Sequence, residues 1–178
     1  MIRSFDDVSR FTVGTIGVPG DRTFFLQIRT PSQLVSASLE KSQVAALSER
    51  LNFMLREIRA IHPLTPRPTL RRDSLPLENP VLDEFRIGSI AIFYDESSQL
   101  IQIDLRELNM GDEDEDEIEL STFSDAQMLR VFITPTQALA FHDRAELVIA
   151  AGRQPCPFCG FPINPEGHLC ARANGYRR

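Results

Sequence analysis

The stretch FTVGTIGV, residues 11–18, alternates apolar residues with small or polar ones, which is the pattern of a half-buried β-strand. A turn is expected at residues 19–21 (PGD), and RTFFLQIR, residues 22–29, predicts a second strand. A third strand is expected over residues 34–39. From about residue 41 to residue 60 the apolar spacing changes to three and four, which predicts a helix with one apolar stripe. The first unit is therefore strand, strand, strand, helix.

The same unit recurs in the second half of the chain. Residues 85–92 (FRIGSIAI) match the first strand in residue class, glycine included, at an offset of 74, and residues 100–103 match residues 25–28 at an offset of 75. Two positions of the second helix, Gln137 and Arg144, match the first helix at an offset of 94. Such matches in the same order predict an internal duplication. We therefore expect an α+β fold in which two strand-strand-strand-helix units form an antiparallel sheet, with both helices on one face and a pseudo-twofold axis between the units.

The second helix has a well-marked beginning. Thr134 is expected as its N-cap, Pro135 as its first residue, and Gln137 as the partner that completes a capping box. Gly152 is expected just past its end. We interpret His142 on this helix as a structural histidine at or near the surface, in preference to a catalytic one. The residues expected on the buried face are Ala138, Phe141, Ala145, Val148 and Ile149.

Composition divides the chain into four parts. Residues 61–82 contain five prolines, which disfavour a helix and predict an extended linker over the surface with ordinary solubilising charges. The expected boundaries are 1–60 for the first unit, 61–82 for the linker, 83–152 for the second unit and 153–178 for a zinc-binding tail. The second unit is expected to carry an acidic insertion at about residues 108–125.

The acidic insertion accounts for the charge of the protein. Residues 112–119 carry seven carboxylates, against a net charge of −6 for the whole chain. We interpret this run as a solvated loop, with a docking strip for a basic partner as the alternative. Calcium binding is disfavoured, because the run lacks the glycine and the ligand order of a calcium-binding loop.

The overall composition is that of an ordinary globular protein. With 178 residues, 42% of them hydrophobic, the chain can bury a core without disulfides. No apolar stretch reaches the roughly 18 residues of a membrane span, and residues 1–7 (MIRSFDD) lack the apolar core of a signal peptide. Three cysteines cannot all pair, which favours a metal site in a reducing compartment. We therefore expect a cytoplasmic protein that does not associate with a membrane.

The three cysteines lie together in the tail, in the order C-x2-C-x8-H-x-C. The segment CPFCG, residues 156–160, has the C-P-x-C-G form of a zinc knuckle, and His168 and Cys170 supply a second pair of ligands. Three thiolates and one imidazole complete a tetrahedral shell. The spacing therefore predicts one structural zinc per chain, held by Cys156, Cys159, His168 and Cys170.

Three other interpretations of the tail stay open. The C-P-x-C pair also occurs in redox enzymes of the thioredoxin type, although there it opens a helix after a strand. His62 or His142 would replace His168 as a ligand only across a much longer stretch of chain. A catalytic zinc would need an open coordination position or a nearby carboxylate, for which Glu166 is the local candidate.

The tail pattern C-P-x-C-G-x-P-x-x-P-x-G-H-x-C-x-R-x-N-G-Y-R-R, the F-x-V-G opening and the strand-helix layout carry a resemblance. Together they resemble an uncharacterised bacterial family found mainly in actinobacteria, a domain of unknown function that spans nearly the whole chain. The resemblance implies zinc-ribbon-like ligands at Cys156, Cys159, His168 and Cys170. It implies no activity, because the family has none that can be carried over.

Three functions are compatible with these features. Our prediction is a non-enzymatic zinc-binding adaptor whose tail binds a protein partner through a basic end formed by Arg172, Tyr176, Arg177 and Arg178. The second is binding of RNA or single-stranded DNA, which the lack of tryptophan and the presence of only two tyrosines disfavour. The third is a small-molecule enzyme with a site between the two units, although the sequence shows no phosphate loop, nucleophile elbow or carboxylate pair. The sequence does not indicate an oligomeric state.

Overall fold

The computed structural model describes residues 1–18, 20–63, 67–108 and 126–152 and, in the tail, residues 156–160, 163, 167, 170 and 172. Most of the acidic insertion, including residues 112–119, lies outside the described residues. The described chain forms seven strands and two helices, in the order β1 (Ile2–Phe5), β2 (Arg10–Val18), β3 (Asp21–Arg29), β4 (Leu34–Leu39), α1 (Lys41–Ile61), β5 (Asp83–Asp95), β6 (Leu100–Glu107), β7 (Met128–Ile133) and α2 (Pro135–Ala150).

The strands form one mixed sheet in the order β1-β7-β6-β5-β4-β3-β2. Strands β2, β3 and β4 form one antiparallel meander, and β5, β6 and β7 form the other. Where the meanders meet, β4 pairs with β5 in parallel, and at one edge β1 pairs with β7 in parallel. The α+β class is confirmed, but the expected antiparallel sheet is a mixed one, to which β1 adds a strand that the sequence did not predict.

The corresponding strands of the two meanders run in the same direction. The parallel pairing of β4 with β5 excludes a twofold axis perpendicular to the sheet, whereas an axis that runs along the strands would preserve it, so the pseudo-twofold relation remains a prediction. Both helices nevertheless begin with a capping box completed by a glutamine, Gln43 in α1 and Gln137 in α2. The N-cap Thr134 and the first helical residue Pro135 are confirmed. The duplication of the unit remains a prediction.

The sheet curves so strongly that its two edge strands approach each other. Seven strands in a flat sheet would place β1 about 29 Å from β2, at roughly 4.8 Å per spacing. Only residues 6–9 join these strands, and five extended residue steps reach about 18 Å at most. Within this link Val8 is 9% exposed, and its carbonyl oxygen accepts a 2.6 Å hydrogen bond from Gln137 Nε2 of α2. The sheet therefore closes around the side on which the helices lie.

Both helices share one hydrophobic core with the enclosed face of the sheet. The rings of Phe141 in α2 and Phe11 in β2 lie 4.9 Å apart, which ties this helix to an edge strand. The predicted buried face of α2 is confirmed at four positions, whereas Ile149 is only partly buried. The buried side chains of the helices are Val44, Leu47, Ser48, Leu51, Met54 and Ile58 in α1 and Ala138, Phe141, Ala145 and Val148 in α2.

The stretch 67–82 is extended and packs on the outer face of the first meander. Arg10 of β2 holds the carboxylate of Asp73 with two hydrogen bonds of 2.7 and 2.9 Å. The side chain of Leu77 covers Gly14, where a Cβ atom would lie 2.6 Å from Leu77 Cγ. This stretch therefore contributes packing and a charged anchor in addition to the solubilising charges that the sequence suggested.

Neither helix in the described part of the chain has the length and apolar character needed to cross a membrane.

Candidate metal centre

The tail cysteines are placed by a tight turn after α2. The amide of Gly160 donates a 2.8 Å hydrogen bond to the carbonyl oxygen of Cys156, which closes the CPFCG turn. Gly160 has a φ of +77°, a conformation that a residue with a side chain rarely adopts. The turn brings the thiols of Cys156 and Cys159 to the same side, as a knuckle requires.

The third cysteine completes a compact group of sulfur atoms. The Sγ atoms of Cys156, Cys159 and Cys170 all lie within 4.8 Å of one another, and those of Cys156 and Cys170 are 3.8 Å apart. None of the three cysteines forms a disulfide, which would bring its sulfurs to about 2.05 Å. Two thiolates bound to a tetrahedral zinc at about 2.3 Å each would lie roughly 3.8 Å apart, so the sulfur positions fit a metal of that size.

Burial and local hydrogen bonding act in opposite directions on Cys156. The side chains of Cys156 and Cys170 are each 5% exposed, while Cys159 is partly exposed. Burial raises the pKa of the Cys156 thiol, but the backbone amides of Phe158 and Cys159 and the two other thiols lower it, and the net pKa is below its ordinary value. The thiolate, which is the form that binds metal, is therefore favoured at this position.

The other predicted site residues fall into two groups. His168, Tyr176, Arg177 and Arg178 lie outside the described residues. Arg172 is described and exposed, and its Nη1 donates a 3.3 Å hydrogen bond to the carbonyl oxygen of Phe158. This contact holds Arg172, two residues after the last cysteine, against the CPFCG turn.

The alternative histidine ligands lie elsewhere in the fold. His62 Nε2 is 3.5 Å from Glu96 Oε1, beyond the end of α1. His142 Nδ1 is 2.8 Å from Ser48 Oγ, where α2 packs on α1. Within the described part of the chain, the group of side chains that could hold a metal ion consists of the three cysteines alone.

Ser48, His142 and Glu146 have the composition of a catalytic triad but not its geometry. Ser48 Oγ lies 3.3 Å from Glu146 Oε1, so the carboxylate contacts the serine instead of orienting the histidine. Ser48 is also 0% exposed, which closes its hydroxyl to a substrate. The three side chains form a hydrogen-bonded link between the two helices, which agrees with the structural role predicted for His142.

Replacement of Ser48 with alanine should loosen this link. We expect S48A to lower the free energy of unfolding by about 1–2 kcal/mol, since His142 loses a hydrogen-bond partner in a partly buried place. Urea denaturation followed by circular dichroism measures the change. The matched control is S42A on the exposed side of the same helix, which should change stability by less than about 0.5 kcal/mol. Equal effects of the two substitutions would contradict the assigned link.

Phe158 is a feature that the sequence did not single out. Its ring is 62% exposed, although a phenylalanine inside a knuckle motif is more easily interpreted as packing. The hydrogen bond from Arg172 to its carbonyl oxygen places a guanidinium close to this exposed aromatic residue. The motif itself fixes only the cysteines and the glycine, so no pattern in it indicates that the intervening ring points outward.

Comparison with known proteins gives a family but no activity. Residues 3–170 match the model of a family described as "Protein of unknown function (DUF3090)". This match confirms the resemblance to a domain of unknown function that spans nearly the whole chain. No curated protein and no solved structure matches.

Proposed function

The chain belongs to the DUF3090 family of proteins of unknown function, and from its own geometry we propose that it is a non-enzymatic adaptor whose C-terminal tail is organised by zinc. The observation that carries this proposal is the group of three cysteine sulfurs within 4.8 Å of one another. A protein partner would bind the surface that this tail presents. We place the protein in the cytoplasm, a reducing compartment in which cysteines stay outside disulfides.

Zinc is the metal that fits these ligands best. Thiolates select soft or borderline metals such as zinc, whereas magnesium and calcium require oxygen ligands. Three sulfurs leave one position of a tetrahedron, and the C-x2-C-x8-H-x-C spacing assigns it to His168. Because Cys156 and Cys170 are almost fully buried, we assign the metal a structural role, with one zinc per chain.

The tail offers a surface suited to a protein partner. Zinc would fix the backbone around Phe158, whose exposed ring would then be available to a second protein without further ordering of the chain. Aromatic residues and arginine are the side chains that most often dominate protein interfaces. Arg172 lies beside this ring, and Tyr176, Arg177 and Arg178 extend the same composition, which suits an acidic segment of a partner.

The adaptor proposal is tested with paired charge and ring substitutions. Full-length protein and the double variant F158S/R172E are cross-linked to their cellular partners, and each partner is then purified and its binding measured directly. We expect at least one partner to lose about tenfold or more in affinity to the tail variant, as expected when an interface loses an aromatic and an arginine contact.

The control replaces a similar pair on the body of the protein. Phe53 is also exposed, and the guanidinium of Arg56 lies 5.7 Å from its ring on α1. F53S/R56E should leave the same partner bound. Identical partners and affinities for all three proteins would refute a role for the tail in recognition. Loss of the partner on nuclease treatment would instead assign the tail to RNA or single-stranded DNA.

A further inference from the structure

The central strand β5 is much longer than the strand that pairs with it on one side. β5 has 13 residues, whereas β4 has six and pairs with β5 only at Asp83 and Arg86. From residue 87 to residue 95 the strand pairs with β6 alone among the described residues. About half of β5 therefore has no strand partner on the side where β4 lies, within the described part of the chain, because β4 ends and the chain turns into α1. This unpaired side is the open edge of β5.

A groove runs between this open edge and α1. It has a volume of about 370 Å³, and α1 lines it with residues spaced three and four apart, among them Ala46, Leu47 and Arg50. The opposite wall is formed by alternate residues of β5, Gly88, Ile90 and Ile92. One end is closed by Gln43, whose Nε2 donates 3.0 Å hydrogen bonds to the carbonyl oxygens of residues 87 and 88.

We propose that this groove binds an extended peptide of a partner protein as an added strand on β5, with an acidic side chain of the peptide at Arg50. Every second residue along an open strand edge directs its N–H and C=O groups outward, and an extended backbone is the ligand that pairs with such a row. The walls Leu47, Ile90 and Ile92 accept apolar side chains from one face of the peptide. The bound peptide would lie between the edge of β5 and helix α1, which is recognition by β-strand addition.

Arg50 supplies the charge preference. Its Nη1 lies 3.1 Å from Glu57 Oε2, and its guanidinium is 5.3 Å from the ring of Phe53. Both members of the ion pair are about half exposed, so the pair contributes little to stability and can be exchanged for another carboxylate. A peptide carboxylate in the groove would meet Arg50 at its rim.

The chain shows a related contact at the edge strand β2. Arg144 of α2 donates a 3.1 Å hydrogen bond to the carbonyl oxygen of Val13 in the edge strand β2 and a 3.2 Å bond to the carbonyl oxygen of Asp73. The extended stretch 67–82, which packs on the outer face of this meander, is thus contacted at the edge of β2 by an arginine from the helix, without strand pairing among the described residues. Arg50 occupies the matching position in α1, 94 residues earlier, beside an edge that is open. An extended segment is therefore the occupant that fits the groove.

The experiment uses the full-length, zinc-loaded protein and defined peptides. A phage library of random linear octapeptides is panned on the protein, and enriched sequences are made as fluorescein-labelled synthetic peptides for anisotropy titration. We expect alternating apolar residues with an acidic residue among the enriched sequences. In hydrogen exchange, those amides of residues 89–95 that point away from β6 should gain protection when the peptide binds. Two N-methylated peptides are compared, one methylated at the odd positions and one at the even positions. Only one of them should lose binding, since only one row of amides faces β5.

Two pairs of substitutions test the groove itself. Ala45 and Ala46 are both exposed on α1, but only Ala46 lines the groove, so A46W should weaken peptide binding about tenfold or more while A45W leaves it unchanged. R50E should weaken binding of the acidic peptide more than R56E does. These positions are on the helix surface, and circular dichroism checks that each variant is folded.

Three outcomes would overturn the proposal. They are the absence of any enriched peptide, equal effects of A46W and A45W, and protection, in the free protein, of the amides of residues 89–95 that point away from β6, which would show that the chain or a second copy already covers the edge. The described residues that line the groove belong to α1 and β5 and not to the tail, so the double variant C156S/C170S should bind the peptide normally. Failure of the groove and failure of the adaptor proposal are therefore separate results.

Discussion

Replacement of Cys156 and Cys170 with serine is expected to reduce bound zinc from about one equivalent per chain to background. Each serine removes a thiolate from a group in which all three sulfurs lie within 4.8 Å of one another. Structural zinc contributes roughly 10–16 kcal/mol to the folding of small zinc-finger peptides, and a segment of this length has no other core. Elemental analysis of the purified protein measures the loss.

The body of the protein should survive this change. Its hydrophobic core is built from the strands, both helices and the link between β1 and β2, and it includes no cysteine. We therefore expect the thermal unfolding midpoint of the body to stay nearly constant, while limited trypsin digestion removes the tail soon after Gly152. The control is F158S, which changes the tail surface and should retain the metal. Zinc retained by C156S/C170S, or lost equally by F158S, would refute the assigned ligands.

His168 is tested through the spectrum of a replacement metal. Cobalt(II) in a tetrahedral site with three sulfurs and one nitrogen should shift its visible absorption when H168C adds a fourth sulfur, and H168A should weaken metal binding. His62 serves as the control because its Nε2 lies beside Glu96. An unchanged cobalt spectrum in H168C would show that another group completes the shell.

The sequence predicted the local elements well because their signals are local. Alternation predicted β2, residues 22–29 and 34–39 were expected as the next two strands and form β3 and β4, and capping residues predicted the start of α2 at Pro135. β1 was missed because it has only four residues, too few for a recognisable alternation. The parallel pairing of β4 with β5 was not predictable either, since it depends on a return of the chain through α1 and the stretch 67–82.

The two candidate sites differ in the same way: the sequence predicted the cysteine group but not the groove. The cysteine positions follow from spacing alone, and the structure brings Cys156, Cys159 and Cys170 together. The groove beside β5 has no motif, because it arises where a strand of 13 residues outlasts a neighbour of six. Unequal strand lengths leave an unpaired edge only between neighbouring strands. The edge can therefore be recognised only once the order of strands in the sheet is known.

Arg10 shows why the proline-rich stretch should count as part of the fold. Its Nη2 donates a 2.9 Å hydrogen bond to the carbonyl oxygen of Leu75, and its Nη1 donates a 3.1 Å bond to that of Pro76. The same guanidinium holds the carboxylate of Asp73, and the two side chains are only 15% and 16% exposed. Most of the hydrogen-bond donors of Arg10 thus bind the extended stretch 67–82.

Replacement of Arg10 with alanine is expected to lower the free energy of unfolding by about 2–4 kcal/mol, since it leaves Asp73 charged and partly buried without its partner. R10K should recover only part of this loss, because an ammonium group cannot form the two parallel bonds. R29A is the matched control: its guanidinium lies 3.6 Å from Glu78 at a more exposed place, and its loss should cost less than about 1 kcal/mol. Urea denaturation gives all three values, and equal losses in R10A and R29A would contradict this account.

The pH dependence of stability identifies the carboxylate responsible. Burial raises the pKa of Asp73, but the hydrogen bonds of Arg10, Thr12 and the Leu75 amide, together with the charge of Arg10, outweigh it, so the pKa lies below its ordinary value in the folded protein. A depressed pKa stabilises the fold at pH values above about 3.9, the usual pKa of an unfolded aspartate, and this contribution disappears as the pH falls through the folded pKa. The difference in unfolding free energy between the wild type and R10A should therefore shrink in acid.

A double-mutant cycle of R10A and D73A should give a positive coupling energy at pH 7 and a smaller one near pH 3, because protonation removes the charge that Arg10 contacts. A coupling that did not change with pH would assign the anchor to the carbonyl contacts at Leu75 and Pro76 instead.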